Sequence, residues 1–312
     1  MAAAQEAWIA GFQGANPDVT INYDPTGSGA GREAFIAGGS AFAGSDSYLS
    51  DDELAGTFAS CAPDSLAVDL PVYISPIAVI FNVEGVDALN LDAATLAMIF
   101  SGQITSWDDA AIAALNPDAT LPATAITAVH RSDDSGTTEN FTDYLAQAAP
   151  DAWGKDASDT FSFTTGEGAQ GTSGVVSAVT NGVGTIGYAD ASQAGDLNTV
   201  ALMVGDEFVA YSPEAAAEVV AGSPLVEGRA ADDLALNINR TTDNAAEYPL
   251  VLVSYAIVCN EYADAEQGAL VKAYVEYLAS PEGQTVAQEA AGIAPLSSEL
   301  SDNVAAVLAT VK

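Results

Sequence analysis

The segment from His130 to Thr138, HRSDDSGTT, gathers at one junction what a small tetrahedral oxyanion needs from a protein. Ala125 to Val129 reads as a strand, and Phe141, Tyr144, Leu145 and Ala148 recur at helical spacing beyond the motif. The motif therefore ends a strand and begins a helix. Arg131 offers a planar fork that can grip an oxyanion bidentately. Ser135, Gly136 and Thr137 fall in the first helical turn, where amides have no partner within the helix and point outward, with two hydroxyls beside them. The bland alternative is an ordinary helix cap with a surface arginine.

A second strand-to-helix junction is YDPTGSGAGR, Tyr23 to Arg32. Its glycines let the backbone approach a ligand closely, and Ser28 places a hydroxyl just before a helix whose N-terminus carries free N–H groups and a partial positive charge. Gly-rich turns of purely structural purpose are common, so this junction is a weaker signal than the first.

These junctions belong to an alternating chain. Helical spacing is expected over about 2–13, a strand from Val19 to Tyr23, a helix from Arg32 to Ala37 and a short strand from Ala41 to Gly44. Ser50-Asp51-Asp52-Glu53 has the form of a capping box. The apolar run Pro71 to Val83 reads as a buried strand, Leu91 to Phe100 as a helix stopped at Gly102, and Ser106 and Asp109 as caps of the next helix. Gly171 to Asn181 and a segment opened by Ser212-Pro213 read as helices, Thr185 to Tyr188 and Tyr248 to Asn260 as strands. Two final helices are expected over Ala265 to Ala279 and Pro281 to Ala291. Such alternation implies an α/β fold with ligand sites at the carboxyl ends of strands.

Composition narrows the functions available. Hydrophobic residues make up 49% of the 312 positions, enough for packed cores, and no apolar run is long enough to span a membrane. Seven Lys and Arg face 43 Asp and Glu, a net charge of −36. No basic patch exists for nucleic acid or an anionic membrane. An anionic ligand must be held against a repulsive overall field, so local hydrogen bonds and dipoles have to do the binding. His130 is the sole histidine, which leaves no multi-histidine metal site and no repeated proton relay. A serine hydrolase would need a base beside its serine, and Ser135 lacks the Gly-x-Ser-x-Gly elbow because Asp133 stands where the first glycine should be. The chain reads as a non-enzyme without a cofactor. Cys61 and Cys259 lack metal-site spacing; in an exported protein they could form one disulfide, and otherwise they are two buried thiols.

GSGAG at Gly27 to Gly31, FAGSD at Phe42 to Asp46, ISPIAVIFN at Ile74 to Asn82, IFSGQITSWDD at Ile99 to Asp109, HRSDDSGTT and YPLVLVSYAIV at Tyr248 to Val258 together resemble the phosphate-binding protein of the phosphate ABC transporter, the PstS family. The order and spacing match over essentially the whole chain, and the sequence is most similar to actinobacterial members. The resemblance implies a type II periplasmic-binding-protein fold: two α/β lobes joined by two hinge strands, closing on the ligand in the cleft between them. Lobe one would hold about 1–80 and 246–312, and lobe two about 81–245, with hinges near Phe81-Asn82 and Asn244-Ala245. Carried over position by position, the ligand set is Ser28, Asp46, Arg131, Asp133, Ser135, Gly136 and Thr137.

In that set the hydroxyls and amides donate, Arg131 supplies the main positive charge and Asp133 orients it. Asp46 would repel an anion unless the ligand carries a proton. Phosphate near neutral pH retains one and sulfate does not, so a carboxylate that accepts it binds one and rejects the other. The resemblance further implies an extracellular, periplasmic or cell-surface lipoprotein location, a monomer, and delivery of inorganic phosphate to a membrane permease. Other tetrahedral oxyanions (arsenate, sulfate, molybdate) or phosphate sensing without transport are the alternatives. Two departures stand out. Family members carry an earlier Gly-rich loop that touches ligand, and Met1 begins where that loop should end, so the first strand, the loop and an export signal are expected to be missing and binding to be weaker. Asp134 also stands where Gly is common, adding a negative charge near the site.

Overall fold

A computed structural model describes residues 1–312. The chain divides into two compact units, Met1–Ile74 with Val220–Asn237 and Val253–Lys312, and Ser75–Val219 with Ile238–Leu252. The 16-residue strand Ala67–Asn82 and the strand Val251–Cys259 both run from one unit into the other.

Along the chain, α1 (Ala2–Ala15) buries Trp8 and Phe12, one turn apart. In α2 (Ser28–Ile36) the N-cap is Gly27 at φ 103°, a left-handed conformation that explains the glycine there. After β1 (Ala43–Ser45), α3 (Asp51–Leu54) opens with the full capping box of Ser50 and Glu53. The buried strand β2 (Ala67–Asn82) leads to β3 (Leu89–Leu91). Asp92 caps α4 (Ala93–Phe100) and Asp109 caps α5 (Ala110–Leu115). Then come β4 (Thr127–Arg131), α6 (Gly136–Ala148), α7 (Pro150–Trp153), β5 (Glu167–Ala169), α8 (Gly171–Asn181), β6 (Thr185–Asp190) and the hairpin of β7 (Asn198–Val204) and β8 (Glu207–Val209). The Ser212 hydroxyl accepts from the Ala215 amide at 3.0 Å to start α9 (Pro213–Ala221). Beyond β9 (Val251–Cys259) lie α10 (Ala265–Ala279), α11 (Pro281–Ala291) and α12 (Ser298–Thr310).

In the first unit β1 runs antiparallel to β9, with Ser45 opposite Tyr255. The Trp8 indole donates to the Gly283 carbonyl at 2.7 Å and ties α1 to α11. Cys61 and Cys259 form a disulfide across 198 residues of sequence; closing so long a loop removes freedom from the unfolded chain and contributes about 2–5 kcal/mol. In the second unit β2 pairs antiparallel with β6, β6 parallel with β4, and β4 parallel with β5, so Arg131 lies at the carboxyl end of a central strand. Helix α8 packs on this sheet through Val175 and Val179, against Val129, Ile80 and Ala189. A Cβ on Gly187 would come within 2.9 Å of Val179, so glycine is what lets the helix sit that close.

Three expectations differ from the structure. No strand forms over Val19 to Tyr23: the Ile21 amide is taken by the Gln13 side chain at 2.7 Å rather than by a neighbouring strand. A third C-terminal helix, α12, follows the two foreseen, capped by Ser297. Val220–Asn237, placed by sequence in lobe two, packs with the first unit, where the Leu234 amide donates to the Asp69 carbonyl at 3.0 Å and the Leu236 amide to the Tyr255 hydroxyl at 3.1 Å.

Candidate functional site

The second unit brings together Arg131, Asp133, Ser135, Gly136 and Thr137. Arg131 ends β4 and is 7% exposed. Its Nε donates to Asp133 Oδ1 at 2.7 Å, its Nη2 to Asp133 Oδ2, and its Nη1 to Thr172 Oγ1 at 3.3 Å. A guanidinium has five N–H bonds; three engaged this way hold its plane while the rest of the fork can serve a ligand. The Gly171 amide donates to Asp133 Oδ1 at 3.0 Å, so Asp133 is itself braced from the start of α8. Burial raises the Asp133 pKa, but the Arg131 and Gly171 hydrogen bonds and the Arg131 charge outweigh it and hold the carboxyl below its ordinary value.

Ser135 caps α6: its hydroxyl accepts from the Thr138 amide at 3.2 Å. Its own amide donates to the Asp159 carbonyl at 3.0 Å. Gly136 and Thr137 begin the helix, where amides have no acceptor within it and the helix dipole is positive. Tyr188 locks this end of the helix to the strand. Its hydroxyl accepts from the Arg131 amide at 3.3 Å and pairs with Thr138 Oγ1 at 2.7 Å. Burial pushes the Tyr188 pKa up to about 12, so the hydroxyl keeps its proton.

The first unit brings together Ser28 and Asp46. The Ser28 hydroxyl, at the start of α2, accepts from the Asp46 amide at 3.0 Å. Asp46 follows β1, and its Oδ1 accepts from the Ser254 hydroxyl on β9 at 2.6 Å. The seven expected residues therefore form two sets, Ser28 with Asp46 on one unit and the Arg131 group on the other. His130 is stacked on Phe161 with ring centroids 4.0 Å apart, and its Nδ1 donates to the Arg131 carbonyl at 2.9 Å.

Sequence reasoning missed Ser254, Tyr188, Thr138 and Thr172. Ser254 had a readable signal: the one serine in the apolar run YPLVLVSYAIV, wholly buried here. Thr138 is the last residue of the HRSDDSGTT motif itself. Tyr188 and Thr172 reach the site through pairings of strands and helices that local sequence does not encode.

Chemically, one set presents a braced guanidinium among N–H and O–H donors and the other a fixed carboxylate. The first suits an oxyanion. The second suits an acidic proton.

A family model described as the PBP superfamily domain matches residues 1–282. The chain is 41% identical over 271 residues to phosphate-binding protein PstS 3 of Mycobacterium tuberculosis, covering 85% of this chain and 72% of the relative. It is 36% identical over 312 residues to PstS 2 of the same organism, covering 98% and 83%. Among solved structures, the phosphate-bound periplasmic phosphate-binding protein PfluDING superposes with a TM-score of 0.72 at 24% identity, covering 90% of this chain and 85% of that one. The two units thus carry the α/β fold of type II periplasmic binding proteins.

Proposed function

The chain belongs to the PstS family of phosphate-binding proteins, and from that membership we propose that it captures inorganic phosphate and delivers it to a membrane ABC permease as a non-enzymatic, exported binding protein. The observation that carries this reading is the pairing, in one chain, of a braced guanidinium at a helix N-terminus and a braced carboxylate, Arg131 and Asp46. The cation and the α6 amides recognise the oxyanion. The carboxylate accepts the proton that phosphate retains near neutral pH, and it repels sulfate, which has none. Ser28, Asp46, Arg131, Asp133, Ser135, Gly136 and Thr137 are proposed as the ligand set, and the two units as the two ligand-binding lobes. The non-enzymatic reading is supported by the chain's single histidine, His130, whose ring is stacked on Phe161.

Isothermal titration of the purified chain tests this. One phosphate per chain, with sulfate binding measurable only at far higher concentration, is the expected result. Sulfate binding comparable to phosphate would overturn the role given to Asp46. Arsenate carries the same proton and should compete with phosphate.

A further inference from the structure

Burial alternates along the stretch that carries Asp46: Ser45, Ser47 and Leu49 are buried, and Asp46 and Tyr48 are half-buried. The residues on either side of Asp46 are thus the ones turned inward, and fixing them limits where Asp46 can point. The structure does this twice over. Before and after Asp46, Arg32 Nη1 donates to Ser47 Oγ at 2.7 Å and Ser45 Oγ at 3.3 Å, while its Nε holds Glu53 at 2.8 Å. Further on, both polar groups of the Leu49 peptide are gripped by side chains. Its N–H is shared by the two oxygens of Asp69 at 3.2 Å each, and its carbonyl accepts from Arg229 Nη2.

Arg229 arrives 180 residues later, from the segment Val220–Asn237. Its side chain is 6% exposed. It lies 3.3 Å from Asp233 and 3.8 Å from Asp69, and its guanidinium sits 5.0 Å from the Tyr48 ring centroid. A buried triad of two carboxylates and one guanidinium is on average no more stabilising than apolar residues of the same volume. Its gain is geometric.

We propose that Arg229, acting with Asp69, is a specificity-determining positioning residue: by holding Leu49 it fixes the reach of the Asp46 carboxylate, and so sets discrimination between protonated and unprotonated tetrahedral oxyanions. The inference rests on the reading of Asp46 as acceptor of the ligand's proton. A carboxylate free to swing aside neither holds that proton nor penalises an anion lacking it. A held one does both.

The test is titration of phosphate and sulfate into Arg229→Lys, Asp233→Asn and Asp46→Asn, with urea midpoints recorded alongside. Arg229→Lys keeps the charge that Asp69 and Asp233 need and loses the fork. Asp233→Asn keeps an oxygen for the Ala235 amide, which the carboxylate accepts at 3.1 Å, and loses the charge that anchors Arg229. In variants that remain folded, the phosphate-to-sulfate affinity ratio should fall about tenfold for Arg229→Lys and about threefold for Asp233→Asn. Loss of affinity for both anions in proportion is what a merely structural role would give, and that result, or a wild-type ratio, overturns the proposal. Asp46→Asn separates the two levels of the argument: an unchanged ratio there brings down the reading of Asp46 itself, whereas a collapsed ratio there with wild-type ratios in the other two variants removes only Arg229.

Discussion

The Ser254 hydroxyl donates to Oδ1 of Asp46 at 2.6 Å, joining β9 to the residue that follows β1. Register makes this possible, since Ser45 lies opposite Tyr255 and Ser254 is the next residue along. The hydrogen bond orients the carboxylate. Ser254→Ala should lower phosphate affinity about tenfold, in keeping with about 1.5 kcal/mol for a hydrogen bond to a charged group. Calorimetric titration checks it, and Ser254→Thr, which retains the hydroxyl, should recover part of the loss.

That bond also shows where sequence reading stops. The Arg131 group was legible because strand end, cap and first turn are adjacent in the chain, and the residue types suited to each state their roles locally. The Ser50 to Glu53 capping box was legible for the same reason. Ser254, Tyr188 and Arg229 act across 208, 57 and 180 residues. Their partners are chosen by sheet register and by the excursion of Val220–Asn237, which no local periodicity announces. The strand expected over Val19 to Tyr23 failed for a related reason: apolar spacing alone could not show that Gln13 would take the Ile21 amide.

Arg131 is braced by Asp133 on two nitrogens and by Thr172 on a third. A lysine keeps the charge but cannot reproduce that fork. Arg131→Lys should weaken phosphate binding by about tenfold, and Arg131→Met by about a hundredfold, since a charge-assisted hydrogen bond contributes about 1.5–3 kcal/mol. Equilibrium titration of both variants measures this; an undiminished affinity in Arg131→Lys would mean that the charge alone matters and that the bracing by Asp133 does not, and equal losses would mean that the charge without the fork contributes nothing.

Acid response should separate Asp133 from Asp69. Asp133 is held below its ordinary pKa of 3.8, against its own burial, chiefly by its hydrogen bonds to Arg131 and Gly171. Such a group contributes stability that is fully present above the ordinary value and is lost as pH falls through the lowered one. Asp69 has the opposite sign. Burial first, then the charge of Asp233, raises it well above 3.8, so its contribution is present below the ordinary value and is lost as pH rises toward the raised one. Urea denaturation from about pH 3 to about pH 8 should show Asp133→Asn flatter than the parent below about pH 4, and Asp69→Asn flatter above it.

Salt offers a test of how an anion binds to a chain of net charge −36. Between exposed charges the field is screened over about 8 Å at physiological ionic strength, while buried donors are screened much less. Added salt therefore weakens the overall repulsion more than it weakens Arg131, which is 7% exposed. The phosphate association rate should rise about two- to fivefold between about 0.03 M and about 0.5 M sodium chloride, with the dissociation rate nearly constant. Stopped-flow fluorescence can follow it. A rate that falls with salt would show that the local field of Arg131 and the α6 N-terminus reaches the approaching anion more strongly than the acidic surface does. In that event capture would be steered by the site itself rather than retarded by the chain around it.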